Sequence, residues 1–246
     1  MTGLTRAYLG AVVAAGAATM AFSLGHWRSD DPLRFVVFLA LFALAAALKG
    51  RIPGITGTFS PVFFFSLLGS TILSFPELAV ASALAGVVQC TFKQLRRPSL
   101  IQICFNASNF VLSAASGFVF IQRLIPGLRE QPGLLCFMLG AAVFYLVNTG
   151  LVSVALTLVE QGSVASIWSH WCLGSLPYYL VGSLIVAATV TANSAATFAA
   201  VILISPAMLL ATIYYRLWLR SGNGASTMDD LHPLRYQEEK TGLVTR

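Results

Sequence analysis

The stretch Leu100–Ile121, LIQICFNASNFVLSAASGFVFI, decides how this chain is read. Five polar side chains, Gln102, Asn106, Asn109, Ser113 and Ser116, recur in it at spacings of 4, 3, 4 and 3. On an α-helix these five share one face. They cover about 21 Å at 1.5 Å per residue, most of a bilayer's hydrocarbon thickness. The other faces carry Ile101, Ile103, Cys104, Phe105, Phe110, Val111 and Leu112, which suit lipid or packed neighbours. An amide facing hydrocarbon has no water to bond. The stripe must therefore face other helices or a wet cavity.

The rest of the chain places this helix in a membrane. Its 246 residues are 57% hydrophobic and 10% charged, with a mean hydropathy of +0.80. Soluble domains carry about 25% charged residues. Eight apolar runs are legible: Ala7–Leu24, Pro32–Leu48, Phe59–Leu73, Leu78–Phe92, Leu100–Ile121, Gly133–Val159, Trp171–Val190 and Ser194–Trp218. They predict an all-α integral membrane protein, a bundle of about eight transmembrane helices over residues 1–220. The third and fourth runs are short and lie close together, so a re-entrant hairpin over 59–92 and a six-helix count is the alternative. The first run has only Arg6 before it and no clean small-x-small cleavage site, so it reads as a retained helix rather than a signal peptide. After Arg220 the sequence turns polar, and 221–246 reads as a flexible cytoplasmic tail.

Charge gives an orientation. With eight spans, Arg6, Lys49, Arg51, Lys93, Arg96, Arg97, Arg216 and Arg220 flank the membrane on one side, and Arg28, Arg34, Arg123 and Arg129 on the other. The positive-inside rule then puts both termini in the cytoplasm. The net charge of +6 reads as topology and lipid contact, not nucleic-acid binding.

Several chemistries lose support. Asp30, Asp31, Glu77, Glu130, Glu160, Asp229, Asp230, Glu238 and Glu239 all fall in loops, at helix ends or in the tail. Proton and metal-ion transport usually need a carboxylate at depth, so both are disfavoured. His26, His170 and His232 form no ligand pattern, and no serine lies in a GxSxG elbow. No catalytic residue, metal site or cofactor is expected. Cys90, Cys104, Cys136 and Cys172 lack CxxC spacing and read as small buried hydrophobes.

What remains is the stripe. Its plain reading is hydrogen-bonding glue between helices, at about 0.6 kcal/mol per contact and at most about 2. Its sharper reading is a cavity for a small uncharged ligand, lined by Gln89, Gln102, Asn106, Asn109, Ser113, Asn148, Thr149 and Tyr178, with Tyr179 beside them. Ahead of the stripe, Lys93, Arg96 and Arg97 are candidates for contact with lipid phosphates or a cytoplasmic partner, and Pro98 suits a first helical turn. Pro177, inside the seventh run, is expected to kink it. SFPELAVAS (74–82) and SLPYYLVGS (175–183) echo one another weakly, as an inverted repeat would.

Four stretches together carry a resemblance: LKGRIPGITGTFSPVFFF (48–65), VVQCTFKQLRRPSLIQICFNASN (87–109), VNTGLVSVALTLVEQGS (147–163) and SLPYYLVGS (175–183). The pattern resembles the MASE-like membrane-sensor region found N-terminal to bacterial GGDEF or HD-GYP cyclic-di-GMP domains. It covers roughly residues 35–218. No GGDEF, EAL or HD-GYP segment is present, so no enzyme activity carries over. The resemblance implies a sensor or signalling-input module of a bacterial inner membrane, working alone or through a separately encoded cytoplasmic partner; a homo-oligomer is a further possibility. The positions it carries over are Gln89, Arg97, Pro98, Asn106, Asn148 and Pro177. The alternatives are a small-molecule transporter or substrate-binding membrane subunit, and a packing or assembly protein without a ligand.

The orientation is directly testable. Alkaline phosphatase fused after Arg246 is expected to be inactive and a green fluorescent protein fused there bright. The reverse pattern would place the C-terminus outside.

Overall fold

Each of the first seven apolar runs lies on a helix. The structure is a computed structural model that describes residues 2–48, 50–51, 58–92, 94, 97–124, 134–160, 163–171 and 176–191. The run Ser194–Trp218, the tail, Lys93 and Arg96 lie outside the described residues. The helices are α1 (Gly3–Gly25), α2 (Pro32–Ala47), α3 (Val62–Ile72), α4 (Phe75–Thr91), α5 (Leu100–Val119), α6 (Leu134–Glu160), α7 (Val164–Trp171) and α8 (Leu176–Thr191). A π-helical turn, Phe120–Leu124, continues α5. A two-residue antiparallel ladder pairs β1 (Gly50–Arg51) with β2 (Thr58–Phe59) ahead of α3. Among the described residues three helices are long and apolar enough to cross a membrane: α1, α5 with its π turn as far as Gln122, and α6.

Helix starts follow local chemistry. Thr2 caps α1 by accepting from the Thr5 N–H, and Asp31 caps α2 by accepting from the Arg34 N–H, with Pro32 in the first turn. Helix α4 begins three residues before its apolar run. Ser74-Phe-Pro-Glu77 is its capped first turn, where Pro76 has no helical partner to lose. Pro98 lies just outside α5, before the N-cap Ser99, rather than within its first turn. Pro177 is the second residue of α8 as described, and the kink expected of it falls beside residues 172–175, which lie outside the described residues. The seventh run is described in two parts, α7 as far as Trp171 and α8 from Leu176.

Hydrogen bonds between helix termini sort the bundle into two ends. At one end the Thr5 hydroxyl donates to the Leu158 carbonyl (3.1 Å), and the Ser60 hydroxyl to the Ala45 carbonyl (3.2 Å). This end gathers the start of α1, the end of α6, the end of α2 and the start of α3. At the other end the Gln122 amide donates to the Ser70 carbonyl (2.8 Å), joining the ends of α5 and α3. There too the α3–α4 turn meets the α1–α2 connection, because the Ser74 hydroxyl lies 2.8 Å from the Arg28 carbonyl. The short α3–α4 hairpin thus reaches as far as α1 and α2 do.

Helix α3 fills the centre. Every residue from Val62 to Ser70 is buried, as expected of a helix apolar on all sides. Phe63, Phe64, Phe65, Leu67 and Leu68 pack with Phe38 and Phe42 of α2, Leu78 of α4, and Phe137 and Phe144 of α6. A smaller cluster joins Leu9 and Val12 of α1 to Phe105 of α5 and Ala155 of α6. Close approach depends on glycine at two contacts. A Cβ on Gly86 of α4 would stand 2.6 Å from the Ala107 Cα of α5, and one on Gly16 of α1 would collide with Ser108 of α5. Outward-facing Leu33, Val36 and Leu44 on α2, Leu100 on α5, and Leu135 and Leu146 on α6 give the bundle an apolar exterior. Cys104 is exposed on that exterior, unlike buried Cys136, so it is not the interior hydrophobe expected.

Glu77 corrects the sequence reading most sharply. It stands at a helix end, as expected, yet is only 1% exposed. Its carboxylate accepts from the Ser29 hydroxyl (2.7 Å) and the Ser74 N–H (2.8 Å), and the Ser74 hydroxyl lies 2.9 Å away. One side chain thereby ties the α1–α2 connection to the start of α4. Removing it strands buried donors, so Glu77→Ala is expected to lower stability by about 2–4 kcal/mol. SDS-titration unfolding of the purified chain measures this. A loss under about 0.5 kcal/mol would mean the clasp contributes nothing.

Candidate functional site

The stripe on α5 faces inward, but its members do different things. Gln102 serves the helix start: its side-chain oxygen accepts from the Ser99 N–H (2.7 Å) and hydroxyl (3.1 Å). Ser113 donates to the Asn109 carbonyl (2.7 Å) and Ser116 to the Leu112 carbonyl (2.8 Å), each one turn back in its own helix. Asn106 donates to the Gln102 carbonyl (2.9 Å) and approaches Cys90 Sγ on α4 (3.5 Å). Gln89 is half-buried on α4. These residues line one face of α5 and its neighbour without converging on one point.

Asn109 is the member that reaches another helix through a strong contact. It is the tenth residue of α5, 2% exposed, and its amide donates to Asn148 Oδ1 on α6 at 2.6 Å. Asn148 in turn donates to the Tyr179 hydroxyl on α8 (3.3 Å). Three helices are therefore linked by a chain of uncharged groups. One turn of α6 carries both this chain and Thr149, whose hydroxyl accepts from the Trp168 indole N–H of α7 (3.0 Å) and donates to the Tyr145 carbonyl (2.7 Å). The Tyr145 ring contacts Tyr179 edge-on (4.9 Å) and Trp168 (5.9 Å). Phe63 of α3 stacks against Tyr179 at 4.2 Å.

Two features of this cluster matter chemically. First, α7 and α8 both meet α6 within the turn Tyr145–Thr149, through Trp168 and Tyr179. Those two residues are 11 apart, about 16 Å along an unbroken helix. Both nevertheless reach the same turn of α6. Second, Asn109 Oδ1 has no donor among the described residues. A buried acceptor left unbonded costs about 1–3 kcal/mol.

The sequence-derived set is thus unevenly distributed. Asn109, Asn148 and Thr149 come together, while Gln89, Gln102, Asn106 and Ser113 act along α4 and α5. Tyr178 is on α8, but its side chain lies outside the described residues. Arg97 is exposed beyond the start of α5. Tyr145 and Trp168 were not among the candidates. Tyr145 had a signal, being three and four residues before Asn148 and Thr149, hence on their face. Trp168 had none, since its short helix lies outside any long apolar run.

The chain matches no family model, no curated protein and no solved structure.

A double-mutant cycle tests the central link. Asn109→Ala and Asn148→Ala are expected to couple by about 0.6 kcal/mol or more, up to roughly 1.7, in unfolding of the purified chain. Strict additivity would mean that the 2.6 Å contact carries no energy.

Proposed function

We propose that the chain is a multi-pass sensor module of a bacterial inner membrane, binding a small uncharged ligand within the Asn109–Asn148–Tyr179 cluster. The observation that carries this reading is Asn109 Oδ1, an acceptor in a 2% exposed side chain with no donor among the described residues. A ligand offering an N–H or O–H would relieve its cost. The aromatic rings of Phe63, Tyr145, Trp168 and Tyr179 would give such a ligand an apolar bed, as ligand sites in helical bundles commonly do.

The motif resemblance to MASE-like sensor regions supports the same class, and with it a separately encoded cytoplasmic partner. An eight-span arrangement with both termini inside is supported by the α3–α4 turn, which reaches the α1–α2 connection. In that arrangement Arg6 and Arg97 lie at the cytoplasmic end and Arg28 and Arg34 at the other, in keeping with the positive-inside rule. The meeting of α5, α7 and α8 with the middle of α6 favours a second reading, a small-molecule transporter. Polar sites near the bilayer midplane are where many transporters bind their substrates.

The test is thermal unfolding of the purified full chain against a panel of uncharged sugars, amides, alcohols and nucleosides. A specific ligand at a hundredfold its Kd adds about 2.7 kcal/mol, a shift of roughly 5 °C or more for a chain this size. That shift is expected to vanish in Asn109→Leu and to persist in Asn106→Leu. A ligand that stabilises Asn109→Leu as strongly as the wild type overturns the site. A panel without any stabilising member leaves the cluster as helix-packing glue.

A further inference from the structure

A second feature lies away from this cluster, where α4 turns into α5. A cavity of about 280 Å³ opens there, lined by Thr91, Gln94, Arg97, Pro98 and Ile103. We propose that it is a headgroup site for an anionic phospholipid, with the lipid phosphate bonded by Arg97 and Gln94.

The donors in the lining determine the ligand chemistry. The Thr91 hydroxyl already donates to the Val87 carbonyl at 2.8 Å, so among the described lining residues the side-chain donors left are the Arg97 guanidinium and the Gln94 amide. The Ser99 N–H and hydroxyl at the start of α5 are taken by the Gln102 side chain and are not offered to an anion. A guanidinium with a neutral amide beside it suits a phosphate, to which arginine can donate two parallel hydrogen bonds. Among the described residues no carboxylate lines the cavity, so an ammonium headgroup finds no counter-charge among them. The lining selects a net negative headgroup over a zwitterionic one.

Position argues for a lipid rather than a soluble phosphate. The α4–α5 turn lies at the end of the bundle that gathers the start of α1 and the end of α6. Directly beyond the cavity α5 presents exposed Leu100, Ile101 and Cys104, and α4 ends on exposed Phe92. Pro98 and Ile103 form the cavity's own apolar wall. A polar pocket above an outward apolar strip matches the two halves of a phospholipid, the headgroup and the first part of its acyl chains. Binding there would attach a lipid to the turn that joins α4 to the stripe-bearing helix. It does not depend on whether the Asn109 cluster binds a ligand.

The experiment uses the delipidated full chain in a neutral detergent, with phosphatidylglycerol, phosphatidylcholine and inorganic phosphate as three separate probes. Native mass spectrometry reads bound lipid. The wild type is expected to retain phosphatidylglycerol in preference to phosphatidylcholine. Arg97→Gln is expected to lower that retention about fivefold or more, the effect of one basic residue near an anionic surface. Arg6→Gln, an exposed charge at the same end of the bundle, is the control and should change it less than about twofold. Arg97 is exposed, so its replacement leaves the core intact, and an unchanged unfolding profile verifies this. Equal losses in the two variants would reduce the effect to general charge and overturn the site. Equal retention of phosphatidylcholine overturns the selectivity, and displacement of the lipid by millimolar phosphate makes the ligand a soluble anion.

Discussion

Inside this bundle a polar group can bond only to the protein itself, and that constraint orders everything else. Many of its hydroxyls meet it locally. Ser66, Ser70, Ser113, Ser116, Thr149, Thr157, Ser183 and Thr189 each donate to a carbonyl three or four residues back in their own helix. Such residues add polarity to a helix without committing it to a partner. The 4-and-3 spacing that makes the α5 stripe visible is also the spacing at which its serines are satisfied within α5. Near the middle of the bundle the links between helices fall to longer side chains, Asn109 to Asn148, Asn148 to Tyr179 and Trp168 to Thr149. At its ends Gln122 bonds Ser70, and the Thr5 and Ser60 hydroxyls bond Leu158 and Ala45.

Glu77 follows the same constraint with a charge-bearing group. A carboxylate needs several donors, and one helix start supplies only part of that need. The Ser74 N–H is local, but the Ser29 hydroxyl comes from another connection. The clasp thus fixes how far the α3–α4 hairpin extends relative to α1 and α2. Hairpin length is then set by a long-range polar contact, not by the 11 residues of α3, which alone cover about half a bilayer.

This explains what could be read from the sequence. Long apolar runs are governed by local periodicity, so α1, α5 and α6 fall where the composition puts them. The S-x-x-E pattern at Ser74–Glu77 was open to reading as a capping box. The burial of Glu77 was not, because Ser29 is 48 residues away in sequence. In the site, the inward direction of the stripe followed from spacing. Which of its members meets a partner followed from α6, α7 and α8 converging on one turn, and no local pattern encodes that.

The same logic separates Asn109 from its neighbours. An asparagine amide has two donor hydrogens and an oxygen that can accept two bonds. Asn148 passes its bond on to Tyr179, and Thr149 both donates and accepts, so these two side chains of α6 are matched. Asn109 gives one bond and receives none at its oxygen among the described residues. Pure packing would favour a residue whose capacity its surroundings use, since Leu has the same number and branching of side-chain heavy atoms as Asn and no such deficit. An unmatched acceptor at the meeting point of α5 and α6 is a local instability that packing alone does not require. It becomes useful if a donor arrives from outside the chain and shifts how α6 holds α7 and α8.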